Sequence, residues 1–251
     1  VAPGRHFERV EWKPSTKRPP DLSAWPFTIP AVAQLIAEGG FDVPAGVTFL
    51  VGENGSGKST LVEALAEVYP RRGHISTWGG TAGPAGSTED SELHWHLRPR
   101  TAPMASPAGF FLRAEAMHAW FAGIDDDPNQ ARAWGGAKLN DRSHGESFLE
   151  VLRRRFADIG VYFLDEPEAA LSFRSSLGLV ALLDSLRAEG SQVVVATHSP
   201  LVVSLPGATL LELGEWGIRP VDRYDDLELV SSWRSYLDCP ERYLRHLLTD
   251  P

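Results

Sequence analysis

Cysteine is almost absent: Cys239 stands alone in 251 residues. That excludes an intrachain disulfide framework and agrees with a reducing compartment. Long apolar runs are missing too. The longest, over residues 48–52 and 192–196, have the length of strands, far from the ~20 residues a membrane helix needs. The first twenty residues mix Arg5, Glu8, Arg9, Lys13, Lys17 and Arg18 without a hydrophobic stretch, so no secretory signal is read there, and the start at Val1 is read as an initiator methionine either removed or not included. A basic excess is lacking as well: 24 Lys and Arg face 33 Asp and Glu, a net charge of −9. Proteins that coat nucleic acid by charge alone are thereby excluded, although a local basic face is not. Lysine itself is rare, confined to Lys13, Lys17, Lys58 and Lys138, which makes a lysine at a special position informative. What remains, with 43% hydrophobic residues, suits one globular domain or one domain with a sizeable insertion.

The order of patterns predicts an α/β architecture. Proline-rich sequence over 1–30 reads as extended, and 31–37 as a short helix. A β-branched run over 46–51 enters a glycine-rich loop and then a helix carrying Leu61, Ala64, Leu65 and Val68 at helical spacing. Glycine and proline punctuate 71–109, read as an irregular lobe with a small patterned stretch at 92–97. Phe148, Val151, Leu152 and Phe156 mark a further helix, whose outer side holds Arg153, Arg154 and Arg155. Two fully apolar strands, 161–164 and 193–196, flank a helix with Leu179, Leu182, Leu183 and Leu186 on one face and Gly190 at its end. A hairpin over 210–221 and a helical tail over 225–248, broken near Pro240, complete the chain. Apolar strands alternating with amphipathic helices imply a mostly parallel sheet covered on both faces.

Three clusters carry chemistry. Gly52-Glu53-Asn54-Gly55-Ser56-Gly57-Lys58-Ser59 fits G-x-x-x-x-G-K-[ST] between a strand and a helix, a pattern for which roughly 0.004 chance matches are expected in this composition. Its backbone N–H groups, with Thr60 just beyond, can surround a phosphate at a helix N-terminus; Lys58 reaches the β- and γ-phosphates, and the Ser59 hydroxyl can ligate Mg²⁺. The strand 161–164 runs into Asp165 and Glu166. A buried strand seldom ends in adjacent acids unless a cation or a reaction uses them. Asp165 is placed to hold Mg²⁺ through water, and Glu166, on the other side of the pleat, to polarise an attacking water. The strand 193–196 ends in Thr197-His198-Ser199, which puts His198 at the carboxyl edge of the sheet, in reach of a γ-phosphate.

Together with Leu164-Asp165-Glu166-Pro167-Glu168 and Ala170-Leu171-Ser172, these motifs resemble the Walker A, Walker B, D-loop and H-loop of the ABC-class P-loop ATPases, in order and spacing. Ser143-His144-Gly145-Glu146, before the expected helix, resembles the signature motif that each subunit offers to its partner's nucleotide; Ser143 and Gly145 are the donors in that view, and His144 and Glu146 depart from the transporter form. The Ser-His-Gly-Glu-Ser form and the ending Pro240-Glu241-Arg242-Tyr243-Leu244 are similar to small soluble bacterial ATPases of this class. The resemblance implies one ABC-type ATPase domain over 1–251, with an inserted irregular and helical lobe over 71–150 ending in the signature. It further implies ATP and Mg²⁺ as cofactors, hydrolysis by Lys58, Glu166 and His198, an ATP-dependent homodimer and a cytoplasmic location without membrane insertion.

Two family elements have no obvious owner. Arg113 or Glu115 stands where a Q-loop glutamine is usual, and Trp25 or Phe27 could stack on adenine, against bland readings as a charged face and as sheet-edge packing. The process driven by ATP has three readings. DNA maintenance or defence leads, with DNA or an unidentified protein as partner and no heptad repeat between Ser59 and Ser143 to carry a coiled coil. The nucleotide-binding subunit of a transporter is second, against which the missing glutamine and the altered signature weigh. An ATP-gated regulatory or toxin-type switch with little turnover is third.

Overall fold

The structure, a computed structural model, describes residues 4–69, 91–113, 149–150, 152–153, 156 and 158–248. The signature Ser143 to Glu146, Glu115, Arg154, Arg155 and most of the lobe expected over 71–150 lie outside the described residues.

Nine strands occur among the described residues: β1 (Phe7–Trp12), β2 (Gly40–Asp42), β3 (Val47–Val51), β4 (Leu97–Thr101), β5 (Gly109–Arg113), β6 (Val161–Asp165), β7 (Gln192–Thr197), β8 (Thr209–Gly214) and β9 (Gly217–Val221). Six form the main sheet in the order β5-β6-β7-β3-β8-β9. It is parallel throughout except for β9, which returns antiparallel from β8. The register pairs Arg113 with Asp165, Asp165 with Ala196, and Leu50 with Ala196, so four strands end level and their outgoing loops share one edge. The remaining strands form a small antiparallel sheet, β2-β1-β4.

Helices among the described residues include α1 (Pro30–Ala37), α2 (Lys58–Val68), α3 (Phe173–Glu189), α4 (Glu228–Asp238) and α5 (Pro240–Leu248). Proline opens α1, where its missing N–H costs nothing. Ser172 caps α3 by accepting a hydrogen bond from Ser175 N, and Gly190, at φ +98°, ends it in the left-handed conformation. Among the described residues, no helix is long and apolar enough to cross a membrane.

Strands buried on both faces split their side chains between two cores by the two-residue period. Val47, Phe49, Val51, Tyr162, Leu164, Val193 and Val195 pack with α3, while Leu50, Phe163, Val194 and Ala196 pack with α1, α2 and the small sheet. Gln192, fully buried, joins the two sheets: its Oε1 accepts from His6 N at 2.9 Å and Phe7 N at 2.8 Å, and its Nε2 donates to Phe7 O at 2.9 Å and Pro44 O at 2.7 Å. Five consecutive buried positions in β3 and β6 leave only their carboxyl ends to reach a ligand.

Candidate active site

The loop after β3 turns because two glycines permit it. A Cβ on Gly52 would stand 2.4 Å from Leu213 O, and Gly57 combines φ +95° with an imagined Cβ 2.5 Å from Ile29 Cγ2. No other residue fits either place without displacing backbone or side chain. The turn delivers the chain to Lys58, the first residue of α2, so the N–H groups of Lys58, Ser59 and Thr60 open toward the loop. Lys58 is 3% exposed, and its Nζ donates to Glu53 O at 2.8 Å. Burial lowers its pKa; Glu166, Asp165, Glu168 and Glu53 oppose that by favouring the cation.

Asp165, the last residue of β6, accepts a 2.9 Å hydrogen bond from Ser59 Oγ on its Oδ1. Burial pushes this carboxyl up to about 6; the Ser59 bond and Arg113 pull it down, and Glu166 adds to the rise. Two hard oxygens side by side, one on a buried acid short of positive charge, form a donor set that fits Mg²⁺, which keeps most of its shell for water and phosphate oxygens. Arg113, ending β5, places Nε 4.0 Å from Asp165 Oδ2 and gives Nη2 to Glu63 Oε2 of α2 at 2.5 Å.

Glu166 departs from its expected place in the pleat. It lies beyond the strand at φ 48°, ψ 48°, a left-handed turn, with its N–H donated to Ala196 O at 2.9 Å. That bond ties it to β7, and its Oε1 lies 3.3 Å from Nδ1 of His198. The structure therefore brings together residues from three sequence motifs on the level strand ends. A cavity of about 650 Å³ opens there, lined among others by Trp25, Asn54, Lys58, Ser59, Asp165 and Glu166. Of the two aromatics considered for adenine, Trp25 is 54% exposed and lines this cavity. Phe27 is corrected to a core residue: it is 3% exposed, edge-on to Trp12 and His96, and presents no free face to a base.

Two side chains had no role in the sequence reading. Glu63 sits one helical turn after Ser59 and holds Arg113; the i, i+4 spacing is visible in the chain, but its partner at the end of β5 is not. Glu168 accepts hydrogen bonds from Thr197 Oγ1 and from His198 N, the latter at 3.1 Å, and only the return of β7 beside β6 brings those groups to it.

The family model described as "ABC transporter" matches residues 40–169. A second, "AAA domain, putative AbiEii toxin, Type IV TA system", matches 147–204. Among curated proteins, the cytochrome c biogenesis ATP-binding export protein CcmA of Rhodospirillum rubrum is 33% identical over 189 residues, covering 70% of this chain and 78% of that one. CcmA of Paramagnetospirillum magneticum is 32% identical, over 71% and 87% respectively. The arabinose import ATP-binding protein AraG of Ralstonia nicotianae is 31% identical over 65% of this chain, and the match spans only 35% of its own length. The SMC head domain from Thermotoga maritima superposes with a TM-score of 0.45 at 16% identity, over 87% of this chain and all of that one, too loosely to bear on function.

Proposed function

The chain belongs to the ABC-class P-loop ATPases, and from that premise we propose that it is the ATP-hydrolysing subunit of a transport assembly, working on the cytoplasmic side as a nucleotide-sandwiched dimer. One observation carries the catalytic part: the Ser59–Asp165 pair and Glu166 line one cavity together with the buried cation of Lys58, and His198 stands 3.3 Å from Glu166. In this reading the loop 53–60 wraps the phosphates and Lys58 neutralises the β- and γ-oxygens. Ser59 and Asp165 would hold Mg²⁺, which would supply positive charge to the phosphate oxygens. Glu166 accepts a proton from the attacking water, and His198 orients the γ-phosphate edge. Trp25 stacks on the adenine. Ser143, His144, Gly145 and Glu146 act in trans on the partner's nucleotide, and the residues 71–150 form a lobe of the same single domain.

Support for transport over DNA maintenance, the reading that led from sequence alone, comes from relatives 30–33% identical that carry names of export and import ATP-binding proteins. The regulatory, toxin-type reading, third from sequence alone, becomes the second reading, favoured by the family match over 147–204. Phosphate release from MgATP by the purified chain tests the reaction. Ser143→Arg should keep ATP binding and lose turnover if the trans contact is real. Turnover stimulated by duplex DNA would overturn the transport reading; DNA-independent turnover with the chain recovered on membranes of its own cells supports it.

A further inference from the structure

We infer that Glu168 is a positioning residue for hydrolysis, holding the turn after β7 so that His198 stands against Glu166. The inference rests on the ATPase reading above. His198 is the first residue beyond β7, with a half-exposed side chain and no regular structure of its own to orient it. Its backbone N–H is donated to Glu168 Oε1 at 3.1 Å, and the same oxygen accepts from Thr197 Oγ1, the last residue of the strand. The Thr197 oxygen in turn accepts from Ser199 N at 3.0 Å, so one carboxylate oxygen organises three consecutive residues.

Glu168 is itself fixed. It lies in the short helical turn Pro167–Ala170 that leaves Glu166, closed by Ala169 N to Glu166 O at 3.0 Å and Leu171 N to Glu168 O at 2.8 Å. Its side chain is 8% exposed, and its Oε2 is buried without a hydrogen-bond partner among the described residues, so Oε1 carries the anchoring. The path from Glu166 through Pro167 to Glu168 and across to His198 closes a ring: His198 Nδ1 stands 3.3 Å from Glu166 Oε1 and 3.9 Å from Glu168 Oε1. Such a ring fixes base and histidine against each other before nucleotide arrives. A buried carboxylate with an idle oxygen is an expensive way to stabilise a turn, and a reaction that needs its histidine placed to a fraction of an ångström gives it a purpose.

Glu168→Met keeps the volume and removes both acceptors; Glu168→Gln keeps an Oε1 acceptor for Thr197 and His198. With MgATP, Glu168→Met should lower kcat by on the order of 10²-fold at unchanged KM, since the phosphate loop is untouched, and Glu168→Gln should recover most of it. Hydrogen exchange at the His198 amide should speed up in Glu168→Met and stay slow in Glu168→Gln. Should the Met variant fail to fold, Thr197→Val removes one of the two bonds and should give a smaller fall in kcat with a partly freed amide. Parental kcat in Glu168→Met, a rise in KM alone, or a Gln variant as impaired as the Met variant overturns the inference. A wild-type chain that never hydrolyses ATP overturns the ATPase reading instead, while the amide exchange still reads the Glu168–His198 contact.

Discussion

Ser59 Oγ on α2 donates a 2.9 Å hydrogen bond to Asp165 Oδ1 at the end of β6, joining residues 106 positions apart. The bond sets the start of the helix over the strand end and puts two oxygens side by side at the mouth of the cavity. It also leaves a buried carboxylate with Arg113 Nε 4.0 Å from its other oxygen.

That carboxylate makes stability depend on pH. Asp165 titrates near 6 in the folded chain against 3.8 in the open one, so the folded state binds the extra proton. The penalty is absent below 3.8, grows as pH rises through the interval, and is complete above 6, where it is worth about 3 kcal/mol. Asp165→Asn is expected to raise the melting temperature of the nucleotide-free chain at pH 8 and to match the parent at pH 4, while Mg²⁺-dependent turnover is lost. Calorimetric scans at both pH values check it; an Asn variant less stable at pH 8 contradicts it.

Lys58→Met tests the phosphate contact. Burial disfavours the ammonium in the free protein, so the nucleotide-free variant should melt no lower than the parent. Its ATP affinity should fall by on the order of 10²-fold, because the flexible cation facing the β- and γ-phosphates is gone. Titration calorimetry decides; unchanged affinity would remove Lys58 from the site.

Glu166 separates chemistry from backbone. Glu166→Gln should cut hydrolysis by on the order of 10² to 10⁴ while ATP binding survives, trapping a MgATP-dependent dimer visible by light scattering. Glu166→Gly should be equally inactive but stabilise the fold by about 1 kcal/mol, because glycine adopts the observed φ of 48° without strain. A Gly variant less stable than the Gln variant counts against the left-handed turn.

Trp25 and Phe27 should part company. Trp25→Ala is expected to weaken ATP binding by roughly tenfold, losing about 1.4 kcal/mol of stacking, with little change in melting temperature. Phe27→Ala is expected to cost about 3 to 5 kcal/mol of stability through the cavity it leaves, since Phe27 is packed among Trp12 and His96. Quenching of tryptophan fluorescence by added nucleotide in the parent, lost in Trp25→Ala, would place the ring at the base.

Several features were legible in the chain alone because they are set by neighbours in sequence. Glycines at 52, 55 and 57 followed by Lys58 and Ser59 dictate a loop of inward N–H groups whatever surrounds it. Apolar runs over 161–164 and 193–196 dictate buried strands, and the leucine period of α3 with Gly190 behind it dictates a capped helix. Tertiary structure decided the rest. Trp25 and Phe27 are equivalent on paper, two residues apart, and only packing chose which ring is core and which lines the cavity. Arg113 faces Glu63 and Asp165 because β5 pairs with β6 in one register, and Glu168 meets Thr197 and His198 because β7 returns beside β6. Such contacts join residues tens of positions apart, and their partners are chosen by strand order and by which side chains the two cores bury, a competition over the whole chain that no local pattern records.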